Sequence, residues 1–350
     1  MAALPYLIAY VVPLTAALGL SLGGAWAFAT LIFVFVLTPG LDAVLGLDTR
    51  NAEDEAARLA NPWFDRVLLA WIPLQLGVMA WTAWAVAVQG RPPLEAVGLV
   101  LSAGVVGAAG LNVAHELMHR KDRVHRGLAE LLCATVTYTH FCVEHVYGHH
   151  KNVATPLDPA TARRGETVYG FLPRSILGGV RSAWRIEAKR AVARGEAGTL
   201  RDRRLRYALG LVTLYGLTTA LTGPVGALAL FGMGAVAVGH LEVINYVEHY
   251  GLQRAAIGEG RYERVGPDHS WNSAHRLTGL YLFGLPRHAD HHYLASRPYP
   301  ILRHHADSPQ LPAGYATMLL LALLPPAWFA VMEPRLDALQ GRARDERAAA

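Results

Sequence analysis

Charge is absent from long stretches of this chain, and their lengths predict how it folds. Met1 to Leu41 holds no charged side chain, enough for two helices of about 17–20 residues, with Gly19, Gly23 and Gly24 marking the turn between them. Val67 to Val88 is uncharged over 22 residues; Gln89, Gly90, Arg91, Pro92 and Pro93 then form a turn before Leu94 to Ala114. Tyr207 to Gly239 is uncharged over 33 residues with Thr222, Gly223 and Pro224 in its middle. That is short for two spans and needs flanking residues to complete them. Three hairpins, hence six transmembrane helices, are the expectation. Two further apolar runs, Leu128 to Val143 and Leu311 to Met332, are left out of the span count. The first is short, and Pro325 and Pro326 break the second.

Composition agrees with a membrane chain. Of 350 residues, 53% are hydrophobic and 17% charged, against roughly 45–50% and about 25% in soluble domains. With 8 Trp, 14 Tyr and 9 Phe the chain is too apolar for disorder. The first apolar run has no charged n-region and no clear cleavage pattern, so it reads as a retained span.

Six spans put both ends and the segments 46–65, 115–206 and 247–350 on one side. Of the 32 Lys and Arg, 17 lie between His115 and Arg206, whereas the three opposite turns hold only Arg91. The positive-inside rule makes the large polar segments cytoplasmic. The net charge of +5 and pI near 9.3 then follow from topology and anionic lipid, without nucleic acid. The expected fold is an all-α integral membrane bundle with a cytoplasmic histidine-rich cap. It forms one domain: 1–114 the first four spans, 115–206 a polar segment, 207–246 the last two spans, 247–350 the remaining polar segment.

Candidate chemistry sits in that cap. Only Cys133 and Cys142 are present, which removes a disulfide framework and cysteine-based zinc or iron–sulfur sites. Histidine is abundant, with 16 residues and none before Leu111. Four clusters stand at or beyond the cytoplasmic span ends: His115 and His119 in HELMH; His145, His149 and His150 in EHVYGHH; His249 in NYVEHYG; and His288, His291 and His292 in RHADHH. A lone histidine at a helix end is ordinarily a solvated or capping residue, and a lone HExxH arises by chance. Repeated i, i+3 and i+4 spacing in four places points instead to a multinuclear metal site. Nine imidazoles exceed the needs of one zinc, which takes three or four ligands. Two metals sharing them keep open positions, and imidazole suits iron, copper, nickel or zinc. Glu116, Glu144, Glu248 and Asp290 are then expected as outer partners that accept a free ring N–H. His125, His140, His240, His269, His275, His304 and His305 are assigned no metal, though His269 and His275 are placed near the site.

These residues resemble the integral-membrane di-iron alkane monooxygenases, within the histidine-box group that includes xylene monooxygenases and fatty acid desaturases. The resemblance rests on HELMHR (115–120), EHVYGHHKNVAT with PLDPAT (144–161), NYVEHYGL (245–252), HSWNS (269–273), LPRHADHH (285–292) and SPQLPAGY (308–315). It runs from about Asn61 to Pro334. It implies iron bound by the nine clustered histidines and terminal hydroxylation of medium- to long-chain alkanes by O2. It also implies electrons from NADH through rubredoxin reductase and rubredoxin, and a place in the bacterial inner membrane. Pro286 stands where that branch usually has Gln, and the polar N-terminal extension is very short. An unactivated C–H bond offers no acidic proton and no electrophilic carbon, so a redox metal that activates O2 is required.

Substrate would reach the site from the bilayer. Moving a CH2 from water to an apolar channel is worth roughly 0.8 kcal/mol, but moving it from lipid gains almost nothing, so shape must select. Trp26, Phe28, Phe33, Val34 and Phe35 are candidate channel-wall residues. Aligning the family on Pro39 and Asp42 places Val34 near a chain-length gate, where a small residue admits long chains. Three other readings compete: the same scaffold acting on an aromatic methyl group, a membrane zinc protease using His115, Glu116 and His119, and a metal transporter. The protease leaves six clustered histidines unused, and a transporter would spread them along a pathway between spans.

Overall fold

Backbone that leaves water must pair its own N–H and C=O groups, and a helix does so within one segment. The computed structural model describes residues 2–349 and is mostly helical; its one sheet among the described residues pairs Ala256–Gly258 with Arg261–Tyr262. Five helical segments are long and apolar enough to cross a bilayer: Leu4–Leu22, Gly24–Leu45, Trp63–Ala87, Pro93–Met118 and Arg203–His249.

The last of these is two passes. Its 47 residues are interrupted at Gly223, whose φ of 71° and ψ of −179° leave the helical region just before Pro224. Two contacts record the reversal. The Tyr215 hydroxyl lies 2.7 Å from Thr137 Oγ1, while Gly234 packs so closely on Val136 that a Cβ there would stand 2.8 Å from its carbonyl oxygen. Nineteen residues of unbroken helix would hold those positions about 28 Å apart. The halves 203–222 and 224–249 therefore form the third hairpin, completing six passes, with the flanks 203–206 and 240–249 supplying the length that the uncharged core lacks.

Neither apolar run left out of the span count forms a straight span. Arg123–Thr135 is an amphipathic helix with Ala129, Leu132 and Cys133 buried, and the C-terminal run splits into Tyr315–Ala322 and a following helix bent from it by 119°. Few charges remain on the opposite face. Arg91 donates to the Leu20 carbonyl at 2.9 Å and pairs with Glu95 at 2.8 Å, and Glu95 accepts the Gly24 N–H at 2.9 Å. The one basic residue of the far turns thus ties the first hairpin to the second.

A polar clasp joins the third span to the end of the helix Arg123–Thr135. Gln75, fully buried on the third span, accepts the Trp71 indole N–H at 3.0 Å and donates to Thr135 Oγ1 at 2.8 Å. Gly110 of the fourth span leaves room for it; a Cβ there would fall 1.5 Å from Gln75 Oε1. Gly110→Ala is expected to evict the amide, unpair two buried donors and destabilise the protein by roughly 3 kcal/mol. Gly77→Ala, which faces open space, should leave the unfolding temperature in detergent unchanged. Equal unfolding temperatures for the two variants would refute the clasp.

Candidate metal centre

Four separate elements carry histidines to one place beneath the cap. The fourth span ends at His115 and His119, and the sixth ends at His249. A short helical segment carries His145, His149 and His150, and the six-residue helix His288–Tyr293 carries three more. The nine rings form two groups whose nitrogens lie within 4.8 Å of one another: His115, His119, His145, His150 and His291 in the first, and His149, His249, His288 and His292 in the second.

Local backbone geometry decides which ring joins which group. On the α-helix 288–293, positions 288 and 292 share a face while 291 points about 100° away from 292, so the helix serves both groups. Around His145 an α-helix would turn His150 about 140° away. The chain instead makes a π turn over His145–His149, closed by the His150 N–H on the His145 carbonyl. The wider turn brings position i+5 back beside position i, and the Nε2 atoms of His145 and His150 stand 2.9 Å apart. His149, on the other side of His145 from His150, joins the other group.

The cluster is buried and rich in nitrogen. Nε2 of His150 also lies 3.0 Å from that of His291, and Nε2 of His288 lies 3.0 Å from that of His292 and 3.2 Å from that of His249. Nε2 of His115, His119 and His149 are buried without a hydrogen-bond partner. Burial, reinforced by neighbouring imidazoles, pushes His145, His150, His288, His291 and His292 well below the usual imidazole range. These rings are neutral and have lone pairs to donate. Unpartnered, converging, neutral imidazole nitrogens suit soft or borderline metal cations, and two groups suit two of them. His149 differs: burial opposes its charged form, but the Asp158 carboxylate beside it outweighs that and raises it.

The carboxylates are placed differently from expectation. Only Glu248, of the four proposed outer partners, reaches a clustered ring: its Oε2 lies 3.2 Å from His288 Nε2, and its Oε1 accepts the Tyr315 hydroxyl at 2.7 Å. Glu116 binds Arg120 at 3.0 Å and accepts the Tyr299 N–H at 3.2 Å. It is held away from the role of protease base. Asp290 accepts from Arg297, from the Arg303 N–H and from His305. Glu144 packs against the Gly148 backbone, where a Cβ would meet its Oε1 at 2.4 Å. The role expected of these groups falls to Asp158, in the PLDPAT segment, which takes the His149 Nδ1–H at 2.9 Å and the Thr161 hydroxyl at 2.6 Å. Its signal was the loop that follows the second histidine cluster. Outer partners of this kind are worth 10–100-fold in metal affinity. Asp158→Asn is accordingly expected to weaken metal retention at the second group by about that factor, read by dialysis against a chelator.

The other seven histidines lie outside both groups. His269 accepts the Gly266 N–H, and His275 pairs with Ser273. Their HSWNS segment is a brace that sequence reasoning did not interpret. The Trp271 indole N–H caps the Tyr250 carbonyl at 2.9 Å, and Asn272 Oδ1 accepts the Ala289 N–H at 2.8 Å. It fixes the end of the sixth span against the helix of the last cluster.

Directly below the histidines an apolar pocket opens between the spans. Val34, Val105, Asn112, His240, Ile244 and Leu285 are among its lining residues. Of the five candidate wall residues only Val34 lines it; Trp26 is 53% exposed and faces outward.

Known proteins match this chain along most of its length. The sequence profile of the fatty acid desaturase family fits residues 92–322. Alkane 1-monooxygenase 2 of Pseudomonas aeruginosa is 43% identical over 92% of this chain and 87% of its own length. Alkane 1-monooxygenase of Acinetobacter baylyi is 37% identical over 87% of this chain and 76% of its own. The hydroxylase component of a xylene/toluene monooxygenase of Pseudomonas putida is 31% identical over 93% and 88%. The chain belongs to the fatty acid desaturase family, in its alkane monooxygenase branch, and is an oxidoreductase embedded in a membrane.

Proposed function

We propose that this protein hydroxylates the terminal methyl of medium- to long-chain n-alkanes with O2, giving primary alcohols, at a di-iron site held by its nine clustered histidines. The observation that carries the reading is the convergence of nine rings, seven buried and two half-buried, directly above an apolar pocket in the bundle. Balance requires one O2, two electrons and two protons per alkane; one oxygen enters the new C–O bond and the other leaves as water. Iron bound there would supply the O2 activation that an unactivated C–H bond demands. His115, His119, His145, His150 and His291 would hold one ion, and His149, His249, His288 and His292 the other. Asp158 fixes the His149 tautomer by accepting its Nδ1–H. Leu285, Ile244 and the side chain of Asn112 present the methyl end of the substrate to the cluster, and the packed cap keeps bulk water from it.

Electrons come from NADH through rubredoxin reductase and rubredoxin, and the cap faces the cytoplasm of the bacterial inner membrane. The basic segment 115–206 suits an acidic donor. Similarity to the xylene/toluene hydroxylase component favours a second reading, attack on an aromatic methyl group. One assay separates the two: gas chromatography of products from cells that carry this protein with a rubredoxin and its reductase, fed graded linear alkanes beside a methyl arene. Linear primary alcohols are expected; benzylic alcohol alone would move the protein to the arene reading.

A further inference from the structure

A cavity of about 640 Å³, lined by none of the nine clustered histidines, opens where the bundle meets the cap. Its walls are the start of the first span, the segment that follows the second, and the chain on either side of the helix Arg276–Tyr281. Those walls set its level. Tyr6 belongs to the first turns of the first span and Asp48 stands three residues past the end of the second, so the cavity sits where bilayer gives way to water. Exposed apolar side chains flank it on the bundle: Leu4 on the first span and Val44 on the second. Exposed Trp63, with the Arg66 guanidinium over its ring at 4.9 Å, opens the third span two residues beyond Asn61 of the cavity wall, as interfacial tryptophans do.

Two half-buried arginines on this cavity have no ion-pair partner among the described residues. Arg287 donates to the carbonyls of Leu302 at 2.6 Å, Arg50 at 2.8 Å and Asp48 at 3.2 Å, and to Asn51 Oδ1 at 3.4 Å. Arg58 donates once, to the Pro300 carbonyl at 2.9 Å, and its other N–H groups are free. Carbonyls satisfy N–H groups but do not neutralise charge, and the two guanidinium groups repel one another. The carboxylates on the cavity are placed elsewhere. Asp48 pairs with Arg50 at 2.9 Å, Asp54 caps the Ala57 N–H at 2.8 Å, and Glu53 is exposed. The Tyr6 hydroxyl makes no hydrogen bond among the described residues, although its ring is fixed against Phe64, Phe283 and Tyr299. Two guanidinium groups and a phenol O–H on one cavity suit an anion with several acceptor oxygens. At the headgroup level of a membrane that anion is a phosphate, and basic pockets at span ends are where anionic lipids seat. We propose that the cavity holds the phosphate of an anionic phospholipid headgroup, with the acyl chains laid along the exposed ends of the first and second spans. The site is independent of the hydroxylase reading and of its substrate.

The test displaces a phosphatidylglycerol labelled on its acyl chain from the purified full chain in detergent micelles. The competitors are unlabelled phosphatidylglycerol, zwitterionic phosphatidylcholine with the same tails, and inorganic phosphate. Identical tails cancel the acyl contribution, so the ratio of the two lipids reads the headgroup alone. Wild type is expected to favour phosphatidylglycerol by roughly tenfold or more, because hydrogen bonds to a charged group are worth more than neutral ones. Arg58→Gln should erase the preference. Tyr6→Phe, which removes a hydroxyl that the protein itself leaves unbonded and so spares the fold, should cut it about threefold. Arg335→Gln, at an exposed arginine of the C-terminal helix that bonds only its own helix carbonyl, should leave it intact. Equal displacement by the two lipids in wild type overturns the proposal, and so does a full preference that survives either Arg58→Gln or Tyr6→Phe at an unchanged unfolding temperature. Displacement by inorganic phosphate as potent as by phosphatidylglycerol would make the ligand a free phosphate and overturn the lipid assignment.

Discussion

His288→Ala is expected to reduce hydroxylation more than a hundredfold and to lower bound iron from two ions per chain toward one. The second histidine group has only four nitrogens, and Nε2 of His288 stands among three neighbours: His292 at 3.0 Å, His249 at 3.2 Å and Glu248 Oε2 at 3.2 Å. Removing it leaves three rings from three different elements, with no protein nitrogen in the gap. Outer partners alone are worth 10–100-fold in affinity, so a lost ligand exceeds that range. His125→Ala is the control. That ring pairs with Asp122 at the start of the helix Arg123–Thr135, outside both groups, and its loss should leave iron content unchanged. Iron measured by atomic emission on purified protein, beside product formation, decides the matter. Two ions per chain in His288→Ala would remove the second group from the metal-binding reading.

The bundle was legible because a span advertises itself through missing charge. The third hairpin needed one more signal, and Thr222-Gly223-Pro224 provided it: a residue free to adopt positive φ beside one that cannot continue a helix. The clusters were legible as clusters, but not their division. A helical period of 3.6 pairs His145 with His149, whereas the π turn pairs His145 with His150, and nothing in local composition announces that wider turn. The carboxylates misled for a related reason. Adjacency in sequence says little about adjacency in space, and Glu116 and Asp290 each had an arginine within reach, Arg120 and Arg297. Asp158 reaches His149 from a loop nine residues away, a contact set by the fold of 153–161 and not by periodicity. Trp26 shows the limit of reading a channel from apolar side chains: in a membrane bundle the lipid-facing and channel-facing surfaces are equally hydrophobic, so hydropathy cannot tell them apart.

Val34→Trp is expected to shorten the longest accepted alkane, with products from the longest chains falling more than tenfold and those from short chains kept. Val34 is 3% exposed and lines the pocket. It lies on a π-helical turn, Phe33–Leu37, of the second span. Its depth is fixed from the cap side: Asp42, eight residues further along, accepts the Thr278 N–H at 3.0 Å, which puts Val34 about 12 Å below the cap. That matches the level of His240, and Phe35 beside it touches the His240 ring. Val34 therefore stands at the pocket's far end, where a chain must stop or pass on between the spans. A valine leaves that route narrow but open; an indole closes it. Insertion into a packed bundle costs roughly 1–3 kcal/mol of stability, so iron content and unfolding temperature must be measured on the same preparation. With both preserved, an unchanged length limit would place the gate elsewhere in the bundle. A shortened limit would make the second span the ruler, since transfer from lipid gives the chain almost no hydrophobic gain and leaves shape alone to set how far the methyl travels toward the histidines.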